Sequence, residues 1–326
     1  MGGVHPPMSD VVCLGILVAD IWGRPIDDWP QKGRLSLVDQ MGIGVGGCAA
    51  NTGMSLVKLG VDTSVMGKLG RDGFGTFVAA AIEQAGADVS GIGWDDEVNT
   101  SATMIMIDSG GERSFLHCIG ANATVRPAEL DMELICSAKV FDFGGLLVMP
   151  GFDGEPAASV LKAAQEAGVV TCMDTVWDDT GRWMELVGPC LPYADYFLPS
   201  LPEAIEITGE TKPAKVAQVL LDQGAGTVVL KMGEDGCYVR TADRELRLPA
   251  FEVEAIDGTG SGDAYVAGFI QGLLKGWDLE DIARFGNAVG ALCVTGIGTT
   301  AGLRDFDGTI EFLAEREGDR WLAMKS

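Results

Sequence analysis

Short apolar runs alternate along the chain with stretches in which apolar residues recur every three or four positions. The runs cover residues 11–18, 64–66, 140–143, 169–173, 196–198 and 227–230, and helical spacing marks residues 49–59, 74–85, 157–167, 263–275 and 279–295. Strand, helix, strand repetition predicts an α/β fold with a three-layer α/β/α core, its central and mostly parallel sheet covered on both faces. Ligands of such folds collect at the carboxyl ends of the strands, and this chain keeps its glycine-rich segments there.

Two segments, 20–43 and 99–120, interrupt the rhythm. The second reads as a hairpin, with an alternating run at 101–107, a glycine turn at 108–112 and a returning run at 113–117. These segments predict a small β-sheet lid set on a core made of residues 1–19, 44–98 and 121–326. A sheet beside a ligand-binding edge can exclude water during group transfer.

Composition narrows the partners. The 326 residues, 47% of them hydrophobic, can bury an enzyme-sized core. A net charge of −24, from 47 acidic and 23 basic residues, argues against nucleic acid and against anionic membranes. No apolar run approaches the ~20 residues that span a bilayer. Residues 1–10 lack the charged and apolar regions of a signal peptide, so the expected location is cytoplasmic. Eight scattered cysteines without a Cys-x-x-Cys pair read as buried, reduced thiols. With only His5 and His117 present, a histidine-built zinc site or a Ser-His-Asp triad is disfavoured.

The candidate chemistry lies in Asp257-Gly258-Thr259-Gly260-Ser261-Gly262-Asp263, directly before a helical run. Three glycines in five positions let the backbone approach a ligand, and the unpaired N–H groups of the following helix favour an anion. Asp263 would then stand beside a bound phosphoryl group and could take the proton of an attacking hydroxyl. Taken alone, the same aspartate reads equally as a helix cap. Gly42-Ile43-Gly44-Val45-Gly46-Gly47 satisfies G-x-G-x-x-G, yet the acidic residue a dinucleotide fold needs after the next strand is missing; Asp62 precedes that strand.

Three segments in order, Gly46-Gly47-Cys48-Ala49-Ala50-Asn51, Gly67-Lys68-Leu69-Gly70-Arg71-Asp72-Gly73-Phe74-Gly75 and the 257–263 loop, resemble the motifs of the ribokinase-like, phosphofructokinase B family of sugar kinases. Gly233-x-x-Gly236 and Phe285-Gly286-Asn287-Ala288 extend the resemblance, which runs from about residue 11 to residue 303. It implies that Asp263 is the catalytic base and that Gly260, Ser261 and Gly262 form the anion hole. Asp20, placed at the end of the first strand, would hold sugar hydroxyls together with Gly46, Gly47 and Asn51. Lys231, Gly233, Gly236 and Asn287 would contact ATP. Asp257, Thr259 and Gly298 match a monovalent-cation site, for K⁺, that some members use. Where the family carries N-x-x-E, this chain reads Ser200-Leu201-Pro202-Glu203. Glu203 would still help organise Mg²⁺, while Ser200 offers a hydroxyl in place of an amide.

The implied reaction moves the γ-phosphate of Mg·ATP to a hydroxyl of a monosaccharide or sugar acid, in a homodimer paired through lid strands. A nucleoside acceptor would want an aromatic platform, and a sugar phosphate a convergent arginine pair, for which Arg24, Arg34 and Arg113 are the candidates. Trp22, Arg24, His117, Asn122, Trp177, Asp178 and Arg182 are candidate pocket residues. A sugar- or nucleotide-binding regulator without chemistry is the alternative from another class, and Ser200 is its best support.

Overall fold

The structure, a computed structural model, describes residues 9–177 and 179–325. Asp178, His5 and most of the 1–10 segment judged for a signal peptide lie outside the described residues. The chain opens with β1 (Val11–Gly15), β2 (Val18–Arg24) and β3 (Gln40–Gly46), then α1 (Cys48–Lys58), β4 (Thr63–Gly70), α2 (Gly73–Ala85) and β5 (Ile92–Asp95). A hairpin follows, β6 (Ala102–Ile107) and β7 (Arg113–Cys118), before α3 (Met132–Ser137), β8 (Val140–Leu146), α4 (Glu155–Glu166) and β9 (Val170–Thr175). Next come α5 (Trp183–Val187), β10 (Tyr196–Phe197), α6 (Leu201–Thr208), α7 (Pro213–Asp222), β11 (Thr227–Lys231), β12 (Cys237–Arg240) and β13 (Glu245–Leu248). Three helices, α8 (Ser261–Leu274), α9 (Leu279–Cys293) and α10 (Phe306–Glu317), complete the order.

Nine strands form one sheet in the order β13-β12-β11-β10-β9-β8-β1-β4-β5, all running the same way except β12, which is antiparallel to both its neighbours. The pleat of β1 explains why its residues are uniformly apolar. Val11 and Cys13 face one helical layer, with Ala49, Leu56, Phe269 and Phe285. Val12 and Leu14 face the other, with Leu161, Val216 and Leu220. Both faces of a parallel strand are buried, so alternation disappears. The remaining strands form a separate sheet, β3-β2-β6-β7.

The apolar run at 11–18 is two strands, not one. Asn122 separates them, accepting a hydrogen bond from Leu17 N at 3.1 Å and donating to Leu17 O at 3.2 Å. With its backbone served by a side chain, residue 17 leaves the large sheet and β2 begins in the small one. Asp20 therefore lies within a small-sheet strand rather than at the end of the first core strand. Asn122, buried and committed to Leu17, is a clamp rather than a pocket residue.

The Gly67–Gly75 motif is structural in the same sense. Lys68 pairs with Glu129 at 3.0 Å and with Asp95 at 3.4 Å. Asp72 caps α2 through Gly75 N and also receives Thr100 N and Oγ1. Because β6 starts two residues after Thr100, these bonds fix where the small sheet is rooted. All eight cysteines are free, but three depart from the buried reading: Cys48 and Cys136 are half-buried, and Cys118 is exposed at the end of β7. No helix among the described residues is long and apolar enough to cross a membrane.

Candidate active site

The 257–263 loop ends on Gly260, which starts α8 with φ +76° and no side-chain cap. A side chain there would strain the backbone and press a Cβ to 2.8 Å from Thr299 Cβ. Asp263 is the third residue of that helix and not its cap. Its carboxylate instead accepts a hydrogen bond from Asn51 Nδ2 at 2.8 Å, across the packed α1 and α8. Burial, the largest influence, pushes the Asp263 carboxyl up to about 6, against the Asn51 bond and the nearby Lys231 charge. The group is therefore largely ionised near neutral pH. Asn51 Oδ1 is buried with no partner among the described residues, an acceptor left open at the same place.

Asp20, Gly46 and Gly47 come together at the small sheet. A Cβ on Gly46 would stand 2.1 Å from Asp20 Oδ2, so only glycine leaves room for that carboxylate. Gly47, with φ +97°, turns the chain into α1 and so places Asn51 in its first turn. Asp20, Thr103 and His117 are cross-strand neighbours on one face. Thr103 Oγ1 lies 3.1 Å from His117 Nδ1 and also bonds Asp20, whose carboxyl burial raises. Trp22 lies in the same strand, its indole over Gly42, where a Cβ would stand 2.3 Å from Cζ2. The first glycine of the apparent dinucleotide pattern thus makes room for a tryptophan.

Lys231, Gly233, Gly236 and Asn287 line a cleft of about 490 Å³ together with Gly258, Tyr265 and the apolar residues Phe251 and Val253. That volume suits a small-molecule ligand. Asn287 Nδ2 donates to Pro249 O at 3.2 Å. Gly233 and Gly236 line this cleft and also form the turn into β12. A second cleft holds Ser200, Glu203, Lys231, Gly260, Ser261, Gly262 and Asp263. The two clefts share Lys231, Gly233, Ser261 and Gly262, so they meet at the start of α8.

Sequence reasoning missed Asp174, at the carboxyl end of β9, which pairs with Lys231. Its position after a buried parallel strand was the available signal. Burial opposes the Lys231 charge, but Asp174 and Glu203 outweigh it and hold the ammonium group protonated. Burial likewise raises the Glu203 carboxyl, with Asp174 adding like-charge repulsion. Ser200 and Glu203 close a capping box at the start of α6: Ser200 Oγ accepts from Glu203 N at 3.4 Å, and Glu203 Oε2 accepts from Ser200 N at 3.1 Å.

Other expectations did not converge. Arg24 bonds Gln40, Arg34 is exposed, and Arg113 lies against Asp257, so no arginine pair gathers for a sugar phosphate. Trp177 packs edge-on against Trp183 at 5.1 Å, and Arg182 bonds Thr180. Asp257, Thr259 and Gly298 do come together, with Asp257 Oδ2 accepting from Gly298 N at 2.9 Å and Oδ1 from Thr259 N at 2.8 Å. Burial opposes the Asp257 charge, but these bonds and Arg113 bring its carboxyl down to about 2.

The profile of the pfkB family of carbohydrate kinases matches residues 8–305. A sugar kinase of uncharacterised specificity from Archaeoglobus fulgidus is 31% identical over 255 residues, covering 77% of this chain and 98% of its own. Probable fructokinase-5 of Arabidopsis thaliana is 28% identical over 287 residues, 83% of this chain and 89% of its own. The structure of Arabidopsis thaliana ribokinase complexed with ribose and ATP superposes with a TM-score of 0.84 at 23% identity, covering 94% of this chain and 98% of that one. A match over nearly the whole length, with two clefts meeting at a glycine-started helix, leaves one conclusion: the chain belongs to the pfkB family of carbohydrate kinases.

Proposed function

We propose that the protein transfers the γ-phosphoryl group of Mg·ATP to a hydroxyl of an unphosphorylated monosaccharide or sugar acid, with Asp263 as the base. The observation that carries this reading is the half-buried Asp263 carboxylate, raised to about 6, hydrogen-bonded by Asn51 and lining the second cleft where it meets the first. Nucleotide occupies the Gly233–Asn287 side. Sugar occupies the Asp20–Asn51 side, where Asp20 accepts from hydroxyls and the open Asn51 Oδ1 accepts from another. As the acceptor oxygen attacks, its proton passes to Asp263, and the amides at Gly260, Ser261 and Gly262 take up negative charge on the transferring phosphoryl oxygens. Lys231 adds a fixed positive charge nearby, while the β2, β3, β6 and β7 sheet covers the sugar.

Among the described residues, no three His, Cys, Asp or Glu side chains are grouped to cage a metal. That suits Mg²⁺, which is commonly held by substrate phosphates and one or two carboxylates. Asp174 and Glu203, crowded together beside the second cleft, are the carboxylates that would hold the ion, and it would neutralise phosphate charge when bound. Arg24, Arg34 and Arg113 do not converge, which counts against a sugar phosphate as acceptor. The same sheet, through its outer face, pairs two copies of the chain.

An ADP-release screen across pentoses, hexoses, sugar acids, sugar phosphates and nucleosides tests the assignment. Turnover is expected with a monosaccharide or sugar acid, and lost on the order of 10²- to 10⁴-fold in Asp263→Asn. Tight sugar binding by calorimetry without ADP release from any member would instead identify a binding regulator.

A further inference from the structure

The inner face of the small sheet follows from its register. Asp20 on β2 lies across from Thr103 on β6, and Thr103 across from His117 on β7. Side chains alternate along a strand, so Arg113 projects from the same side of β7 as His117. Its guanidinium donates to Asp257 Oδ1 at 2.8 Å. The face that carries Asp20, Thr103 and His117 is therefore the one turned toward the 257–263 loop.

Hydrogen bonds along this row run in one direction. A carboxylate only accepts, and a threonine hydroxyl has a single proton. Asp20 takes that proton from Thr103, so Thr103 Oγ1 is left to accept from His117 Nδ1, 3.1 Å away. Lost hydration holds the His117 ring below its usual pKa, which leaves it neutral at neutral pH with one N–H to give. With that N–H on Nδ1, Nε2 is a bare acceptor, and it has no partner among the described residues. Asn51 obeys the same rule at the other edge of the site. Its Nδ2 is committed to the Asp263 carboxylate at 2.8 Å, which leaves Oδ1 buried and open.

We propose that His117 is a specificity-determining residue, held by Asp20 and Thr103 with its proton on Nδ1, and that the acceptors Asp20, Asn51 Oδ1 and His117 Nε2 select a neutral polyol sugar over a sugar acid. Hydroxyl groups bring the protons these atoms lack. A carboxylate brings none, and it would meet the Asp20 charge. The cations on that face are engaged away from the row, Arg24 with Gln40 and Arg113 with Asp257. The inference rests on the proposed kinase reading for the identity of the ligand, whereas the position of the His117 proton can be measured with no ligand present.

Only His5 and His117 contribute histidine signals, so nitrogen NMR of histidine-labelled protein reads the ring directly, with His117→Gln assigning it. Near neutral pH the wild type should show the Nδ1–H form at His117. Thr103→Val keeps the side-chain shape without the hydroxyl and should move the proton to Nε2. An Nε2–H ring in the wild type, or a ring indifferent to Thr103→Val, overturns the proposal. Specificity is read on matched pairs, each a pentose or hexose with its own aldonic acid. ADP release should favour the neutral sugar by about 100-fold in kcat/KM. His117→Ala should lose about tenfold in kcat/KM for that sugar, and His117→Gln, whose amide oxygen can accept, should recover most of the loss. An acid used as well as its sugar sinks the idea, as does a His117→Ala with unchanged kcat/KM. Should no acceptor release ADP, the kinase reading fails, and calorimetry on the same pairs still decides this one: preferred binding of the neutral member supports it, and preferred binding of the acid, or of neither, overturns it.

Discussion

Asp263 is pulled in opposite directions by its neighbours. Burial and Asp174 favour the protonated acid, while Asn51 and Lys231 favour the carboxylate. With the balance near 6, kcat/KM should fall about tenfold per pH unit below that value and level off above it, because it reports the free enzyme's base. A flat profile down to pH 5 in folded protein would remove Asp263 as that base. The same shift predicts a stability effect of definite sign. The folded carboxyl titrates near 6, above its unfolded value near about 3.9. Its stabilising contribution is therefore full below about pH 4 and is lost as pH rises through 6. Asp263→Asn should gain on the order of 2–3 kcal/mol over wild type at pH 8, and much less at pH 4, in urea unfolding. Activity and stability would then move in opposite directions at one residue, as expected where a site is kept strained for function.

The start of α6 explains how the chain tolerates serine where its family has asparagine. Both residues cap helices well, and Glu203 three positions on completes the box. Ser200→Asn should leave stability within about 0.5 kcal/mol, whereas Ser200→Ala should cost about 1 kcal/mol. The nucleotide should notice more than the helix does, so KM for ATP in Ser200→Asn is expected to move severalfold with kcat nearly constant. A kcat change of tenfold or more would assign Ser200 to the chemistry instead. Elements of this kind were legible because their signals are local: apolar period, glycine turns, and Ser-x-x-Glu spacing. The break at Leu17 was not, because the bond that makes it comes from Asn122, far along the chain. Asp174 escaped for the same reason, since its partner Lys231 is brought near only by the fold.

The whole molecule carries a net charge of −24, which by itself keeps copies apart. One face argues the other way. Ile43, Ile21, Met104 and Leu116 are successive cross-strand neighbours in the β3-β2-β6-β7 sheet. Met104 and Leu116 are 50% and 49% exposed, and Met41 beside them is 70% exposed. Asp20, Thr103 and His117 lie on the opposite face, so the apolar stripe is not part of the sugar site. Burying such a stripe against its own copy satisfies it with two-fold symmetry and shields exposed strand edges. Charge repulsion between copies is screened over about 8 Å at physiological salt but reaches about 30 Å at 0.01 M. The expected outcome in sedimentation at micromolar concentration is a mass near twice 34.2 kDa at 0.15 M salt, with dissociation favoured as salt is lowered. Met104→Glu should shift the mixture toward the 34.2 kDa species at every salt concentration. A wild type that stays at the single-chain mass at 0.15 M salt would leave the stripe without its second copy. Turnover per chain separates assembly from chemistry: since Asp20, Asn51 and Asp263 belong to one chain, Met104→Glu should lose mass before it loses more than a few fold in kcat.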